Sequence, residues 1–239
     1  MQHIHLDSVD STNNYIKAHA AGMDDNTVVD AREQTAGRGQ RGNRWLTTAG
    51  KNATFSILLR PKNLKAADQQ IISEVAALAT AETLTTLGID NVKVKWPNDI
   101  YVENRKIAGI LIECSLDGPM VDYAVVGIGL NVNQTEFDPS LPNPTSIALE
   151  TGRDDYDSQA VMRQVCELIQ TLRSQPAEAI HARYVGSLYR HDGLPHPFLL
   201  PDGTPFMATI DNVSPTGTLR LRHADGTLHD YDFKEVIFV

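Results

Sequence analysis

Residues 92–131 read VKVKWPNDIYVENRKIAGILIECSLDGPMVDYAVVGIGLN, and this stretch decides the fold class. Val92 to Lys95, Ile100 to Val102, Lys106 to Cys114 and Tyr123 to Asn131 alternate or run apolar between turn residues, with Asn104-Arg105 as a hairpin tip. Strands that follow one another without an intervening helical period make a meander. Directly upstream, Asp68 to Leu87 holds Ile71, Ile72, Val75, Leu78 and Ala79 at helical spacing and closes on Gly88. Elements that do not alternate one for one favour an α+β domain over a doubly wound sheet.

Towards the N-terminus, Ile4 and Leu6 suggest a short strand. Asp10-Ser11-Thr12 then caps a helix from Asn14 to Ala21 that stops at Gly22. Thr27 to Ala31 and Ala53 to Arg60 read as strands, leaving residues 34 to 50 as a connection with four glycines and no apolar period. A loop that long inside a compact domain is usually functional or mobile. Beyond Asn131 a loop with Pro139, Pro142 and Pro144 leads to helices at Ser158 to Ser174 and Ala177 to Tyr189. Met207 to Val213, Gly217 to His223 and Leu228 to Phe233 are short strands joined by Gly-containing turns, so residues 190–239 read as a small all-β domain after a main domain of residues 1–189.

A chain of 239 residues suits one large domain, or a medium one with an appendage. With 21 Lys and Arg against 30 Asp and Glu, the net charge of −9 argues against a protein built mainly to grip phosphate backbones. Any basic site must be local. The uncharged apolar run between Lys106 and Glu113 is six residues, against the roughly 18 needed to span a bilayer, so no membrane insertion is expected. The start shows neither a basic nor an apolar leader segment, so a cytoplasmic location is expected. Cys114 and Cys166 read as buried core thiols, and the eight histidines show no metal-ligand spacing, so no metal site is expected.

Against this acidic background, Gly37-Arg38-Gly39-Gln40-Arg41-Gly42-Asn43-Arg44-Trp45 concentrates cations among glycines. Glycines let backbone N–H groups approach an anion, guanidinium groups add charge-assisted hydrogen bonds, and Trp45 offers a flat apolar face. That suits a phosphate ester of a heterocycle; a solvated basic loop or an RNA contact remains the bland alternative. Lys95-Trp96-Pro97-Asn98-Asp99 joins two strands and is either a stabilised hairpin turn or a set of polar groups aimed from rigid ends. Lys106 begins a strand in which Gly109 removes a side chain, and Gly127 and Gly129 repeat that device, as at a bulge or a close ligand approach. Ser11-Thr12-Asn13 offers short polar groups at a helix N-terminus, suited to capping or to a polar ligand.

Ser11-Thr12-Asn13, Gln34-Thr35-Ala36-Gly37-Arg38-Gly39, Lys95-Trp96-Pro97-Asn98-Asp99, Arg105-Lys106-Ile107-Ala108-Gly109-Ile110-Leu111 and Gly127-Ile128-Gly129-Leu130-Asn131 stand in this order along nearly the whole chain. In this the sequence resembles the biotin protein ligases, also called holocarboxylase synthetases. The resemblance implies a mixed-sheet α+β catalytic domain like that of class II aminoacyl-tRNA synthetases, followed by an SH3-like β-barrel. It implies an enzyme that makes biotinyl-5′-adenylate from biotin and ATP, with Mg²⁺ accompanying the nucleotide. The activated biotin then passes to a lysine of a biotin carboxyl carrier domain of a carboxylase.

Carried over by position, Ser11, Thr12, Asn13 and Gln34 resemble the ligands of the biotin ureido group. Gly37, Arg38, Gly39 and Gln40 lie in the loop that closes over biotin, and Gly109, Leu111, Gly127 and Gly129 line the floor of its slot. Arg41, Trp45, Lys95, Asn98 and Asn131 belong to the nucleotide. Lys106 is expected to bridge the biotin carboxylate and the α-phosphate as the chief catalytic cation, with Lys95 nearby in support and Arg38 and Arg41, the latter neutralising phosphate, as the other catalytic cations.

One departure stands out. Many family members read Gly-Arg-Gly-Arg-x-Gly, and the second arginine helps retain the adenylate; Gln40 stands there here. The sequence also begins at the catalytic domain, so no DNA binding is expected, and a homodimer is left open. Because it ends Glu235-Val236-Ile237-Phe238-Val239, no cation from the last domain is carried over to the site. A lipoate ligase of the same fold is the nearest rival, and an RNA-binding module using Arg38, Arg41, Arg44 and Trp45 is a rival of another class.

Overall fold

The computed structural model describes residues 2–239, with the side chain of Arg41 outside the description. Its main element is a seven-stranded mixed sheet in the order β1-β2-β3-β7-β6-β5-β4. The strands are β1 (His3–Val9), β2 (Val28–Gln34), β3 (Ala53–Leu59), β4 (Val92–Lys95), β5 (Asp99–Val102), β6 (Arg105–Asp117) and β7 (Met120–Leu130). β1 and β2 are parallel and every other neighbouring pair is antiparallel. The expected meander is therefore β4 to β7. Its last two strands extend past their apolar stretches because Gly118, at φ +56°, turns the chain directly into the return strand.

Helices α2 (Gln70–Thr86), α3 (Ile147–Thr151), α4 (Ser158–Leu172) and α5 (Ala177–Ser187) follow in chain order after β3, and α1 (Thr12–His19) precedes β2. α2 is buried along most of its length because the sheet lies on one side of it and α4 and α5 on another. Its buried Thr80 and Thr83 hydroxyls donate to the carbonyls of Ala76 and Ala79, which removes the cost of burying them. α4 buries Val161, Met162, Val165, Cys166, Ile169 and Leu172, a single helical stripe, and Asp157 caps it by accepting from the N–H groups of Gln159 and Ala160. On the opposite face α1 seats Ile16 against Val29, Leu58 and Val125. Cys166 is buried as expected, its thiol pushed up to about 12 by burial with help from Glu167. Cys114 is only half-buried, because β6 is covered less well towards its polar end.

The C-terminal segment forms a second, five-stranded antiparallel sheet in the order β11-β10-β9-β8-β12. The new strands are β8 (His196–Leu199), β9 (Pro205–Val213), β10 (Leu219–His223), β11 (Leu228–Tyr231) and β12 (Ile237–Phe238). Among the described residues β11 and β12 do not pair, so this sheet is open.

Candidate active site

Strand register assembles the site. Across five strands Thr54, Gly129, Gly109, Asp99 and Lys95 are successive partners, and in the next row on the same face Ser56, Gly127 and Leu111 are partners. Two glycines in the first row and one in the second leave a bare trench where side chains would otherwise stand. α1 covers one end of this face and not the middle, and a cavity of about 480 Å³ remains over the trench.

Neutral polar groups from the start of α1 form one end. Gln34 Oε1 accepts from the Thr12 backbone N–H at 2.8 Å and from its hydroxyl at 3.1 Å, while Thr12 Oγ1 lies 2.7 Å from Ser56 Oγ. Ser56 in turn donates to Asn13 Oδ1 at 2.6 Å. Ser11, at the N-cap position, makes no side-chain cap bond, so capping does not explain it. A β-carbon on Gly127 would come within 2.9 Å of Asn13 Cγ, so Gly127 makes room for Asn13 to lie over the floor.

The glycine-rich connection is a folded-back hairpin, with Gly39 N–H donating to Asn43 O at 2.7 Å and Trp45 N–H to Gly37 O at 3.1 Å. Arg38 and Arg44 bridge across it. A β-carbon on Gly37 would collide with the Trp45 carbonyl, so only glycine permits this closure. The hairpin lays the Trp45 indole onto the trench, where a β-carbon on Gly129 would fall 2.5 Å from Nε1 and one on Gly109 3.2 Å from Cζ3. Trp45 Nε1 is buried there without a partner among the described residues.

Cations gather at the other end. Lys106 Nζ lies 2.7 Å from Asp99 Oδ1 and 5.7 Å from the centre of the Trp45 ring. Lys95 donates to the Tyr101 hydroxyl at 3.1 Å, with the ring centres of Tyr101, Phe238 and Tyr189 at 4.6, 5.4 and 6.0 Å. An ammonium held by rings keeps its full charge for an incoming anion, whereas that of Lys106 is balanced by a carboxylate. Arg44 and Lys234 also line the cavity, and Asp99 is the sole carboxylate among its described lining residues. No group of three or more His, Cys, Asp or Glu side chains suited to a metal ion occurs among the described residues.

The family model for biotin/lipoate A/B protein ligases matches residues 6–131, more than half of the chain. The chain belongs to this family. The bifunctional ligase/repressor BirA of Escherichia coli is 36% identical over 171 residues, an alignment covering 71% of this chain and 51% of that protein. The biotin--[acetyl-CoA-carboxylase] ligase of Paracoccus denitrificans is 39% identical over 153 residues, 62% of this chain and 63% of that one. The chain thus spans only about half to under two thirds of these curated relatives. Among solved structures, the biotin protein ligase of Aquifex aeolicus in complex with biotin and ATP superposes with a TM-score of 0.81 at 26% identity, covering 98% of this chain and 97% of that one.

Against the expectations for this family, the cavity brings together Ser11, Thr12, Asn13, Gln34, Arg38, Gly39, Gln40, Trp45, Lys95, Asn98, Lys106, Gly109, Leu111, Gly127 and Gly129. Gly37 and Asn131 do not line it. Gly37 serves the hairpin, and Asn131 is buried with its amide donating to Thr145 O at 2.9 Å, which ties β7 to the loop behind Lys106. The glycine floor is not wholly open either, since the Trp45 indole rests on Gly109 and Gly129 and Asn13 on Gly127. The side chain of Arg41 lies outside the described residues. Asn98 lines the cavity while its amide donates to Ile110 O at 2.7 Å, so it also fastens the β4–β5 turn to β6.

Sequence reasoning missed Asp99, which stood in a quoted motif without a role, and Phe233, Lys234, Val236, Ile237 and Phe238, which line the cavity from the second sheet. No local pattern marks these last residues. Trp96 Nε1 donates to Gly217 O at 2.9 Å and so fastens the motif turn to that sheet.

Proposed function

We propose that this chain is an ATP-dependent biotin ligase that joins biotin to a lysine of a biotin carboxyl carrier domain through biotinyl-5′-adenylate. The observation that carries the reading is the lining of one cavity: neutral donors and acceptors at Ser11, Thr12, Asn13 and Gln34, Lys106 and Lys95 on the far strands, and Arg38, Arg44 and Lys234 as further cations on its wall. A ureido ring suits the first end, where it can add bonds to polar groups that an acyl chain without one cannot use, a hydrogen bond contributing about 0.5–1.5 kcal/mol. A triphosphate suits the second.

In the first step a biotin carboxylate oxygen attacks the α-phosphorus, forming the acyl–phosphate bond and releasing pyrophosphate. Two anions must meet, so the protein contributes position and positive charge. Lys106 leaves Asp99 for the substrates, and Lys95 and Lys234 hold the phosphates. In the second step an acceptor lysine amine attacks the acyl carbon and AMP departs. Mg²⁺ is read as entering with the nucleotide; Asp99, freed as Lys106 turns to the substrates, is the one carboxylate among the described lining residues that could face it.

Residues 1–189 are read as the catalytic domain and residues 190–239 as an SH3-like unit, a reading supported by the short antiparallel strands of the second sheet. A cytoplasmic location follows from the carboxylase acceptor, and no described helix is long and apolar enough to cross a membrane. Incubation with ATP, a carrier domain and either biotin or lipoate, read by intact mass, tests the function. Addition of one biotin to the carrier supports it; addition of lipoate and not biotin would assign the chain to the other branch of the family.

A further inference from the structure

We infer that Glu113, which stands outside the cavity, is a positioning residue that fixes the Asn13 amide and the Arg38 guanidinium together and so ties the glycine-rich hairpin to α1 and β6. It follows Leu111 on the same face of β6. Its Oε1 takes Lys17 Nζ at 2.7 Å and Arg38 Nη1 at 3.1 Å, and its Oε2 takes Asn13 Nδ2 at 2.9 Å and Arg38 Nη1 at 3.2 Å. An ionised carboxylate has about four lone-pair sites, and here they serve donors from α1 and from the hairpin. Burial alone would raise the Glu113 carboxyl; the bonds from Lys17 and Asn13 and the charges of Lys17 and Arg38 outweigh it and keep the group ionised below its ordinary range.

Two consequences reach the cavity. A carboxylate can only accept, so Glu113, at 2.9 Å and with the longer contact to Leu111 O at 3.3 Å, draws the NH₂ of Asn13 towards β6 and leaves the oxygen towards Ser56 and the floor at Gly127. Asn13 therefore presents an acceptor to a ligand N–H. Among the described residues every bond of Arg38 uses Nη1, shared between Glu113 and Asn14 Oδ1 at 2.8 Å, with Asn14 itself held by Asp10 at 2.6 Å. One corner of the guanidinium is the anchor, and the residue still lines the cavity. Exposed ion pairs contribute little singly, but this one carboxylate joins strand, helix and hairpin at once, beside the separate bonds from Arg38 to Asn14 and from Asn13 to Leu111 O.

The effect on biotin rests on the proposed function; the effect on the hairpin does not. Glu113→Gln, which can turn its own NH₂ towards Asn13, is expected to speed tryptic cleavage at Arg38 and Arg44 of the ligand-free protein by about fivefold or more, a loss of one charged pair. It is expected to raise KM for biotin by about tenfold while changing kcat at saturating biotin by less than about twofold. Glu113→Asp, should the first variant not fold, is expected to fall between it and wild type. Lys17→Met, which removes the third partner alone, should leave both readouts near wild type. Wild-type cleavage and wild-type KM in Glu113→Gln, or equal effects from Lys17→Met, would overturn the assignment. Were biotin not a substrate of any variant, the cleavage rates would still decide it.

Discussion

Trp45 and Gly129 occupy one another's space: a β-carbon on Gly129 would lie 2.5 Å from the indole Nε1 and 2.8 Å from Cδ2. Neither atom can retreat easily, because the sheet backbone lies beneath the glycine and the indole is carried by a hairpin closed at Gly37. Gly129→Ala is therefore expected to push the indole off the trench at a cost of about 1–3 kcal/mol. Adenylate formation should fall by about tenfold or more, since the wall between the two ends of the cavity moves. In a Trp45→Ala background the same substitution should add little, and a double-mutant cycle on single-turnover rates measures that coupling. Additive effects would show that the contact does not matter to the chemistry.

Gln40 lines the cavity, at the position where the resemblance to the biotin protein ligases leads to the expectation of a second arginine. A charge-assisted hydrogen bond to phosphate is worth about 1.5–3 kcal/mol, so Gln40→Arg should cut the release of free adenylate by about tenfold or more. Release is read by chromatography of the small-molecule fraction during turnover without acceptor. Equal release from both proteins would remove Gln40 from the account of retention.

Phe238 makes the second sheet part of the site through Lys95. Loss of one ring from the cage should cost about 0.5–2 kcal/mol, so Phe238→Leu is expected to raise KM for ATP by about two- to thirtyfold and leave KM for biotin unchanged. Phe238→Tyr should retain wild-type behaviour. A rise in both Michaelis constants would point instead to a general loosening of the second sheet.

Stability carries a pH signature away from the cavity. Burial would raise Asp25, but hydrogen bonds from Arg173 and from the Arg60 backbone, with the Arg173 charge, hold its carboxyl below the ordinary range. A depressed carboxylate stabilises the fold above its unfolded pKa, near 3.8, and that contribution is lost as pH falls through the lower folded value. Asp25→Asn should thus lower the unfolding free energy obtained from urea titration at pH 7, by about 1 kcal/mol for a half-buried pair, and the gap to wild type should narrow towards pH 3. A gap that is constant with pH would mean that charge plays no part.

Much of this was legible in the sequence because it is local. The helical stripe of α2, the meander of β4 to β7 and the polar start of α1 are written in consecutive residues. The partnership of Thr54, Gly129, Gly109, Asp99 and Lys95 was not legible, because register is set by where each strand begins and turns, and a shift of one residue would put the glycines on the other face. Strand β8 was hidden by Pro197, and β12 and α3 by their shortness. Lys234 and Phe238 reach the cavity only because the second sheet docks beside Trp96. Sequence separation concealed them, as it concealed that Glu113 meets Arg38.

The central claim is that this cavity activates biotin as its adenylate with Lys106 as the principal cation. Biotin-dependent exchange of labelled pyrophosphate into ATP tests it most directly, in wild type and Lys106→Ala, with lipoate as the comparison acid. The account predicts exchange with biotin and not with lipoate, reduced by about a hundredfold or more in the variant, as expected when a preorganised transition-state charge is removed. Exchange that needs no biotin, that lipoate supports equally, or that survives the loss of Lys106 would contradict it.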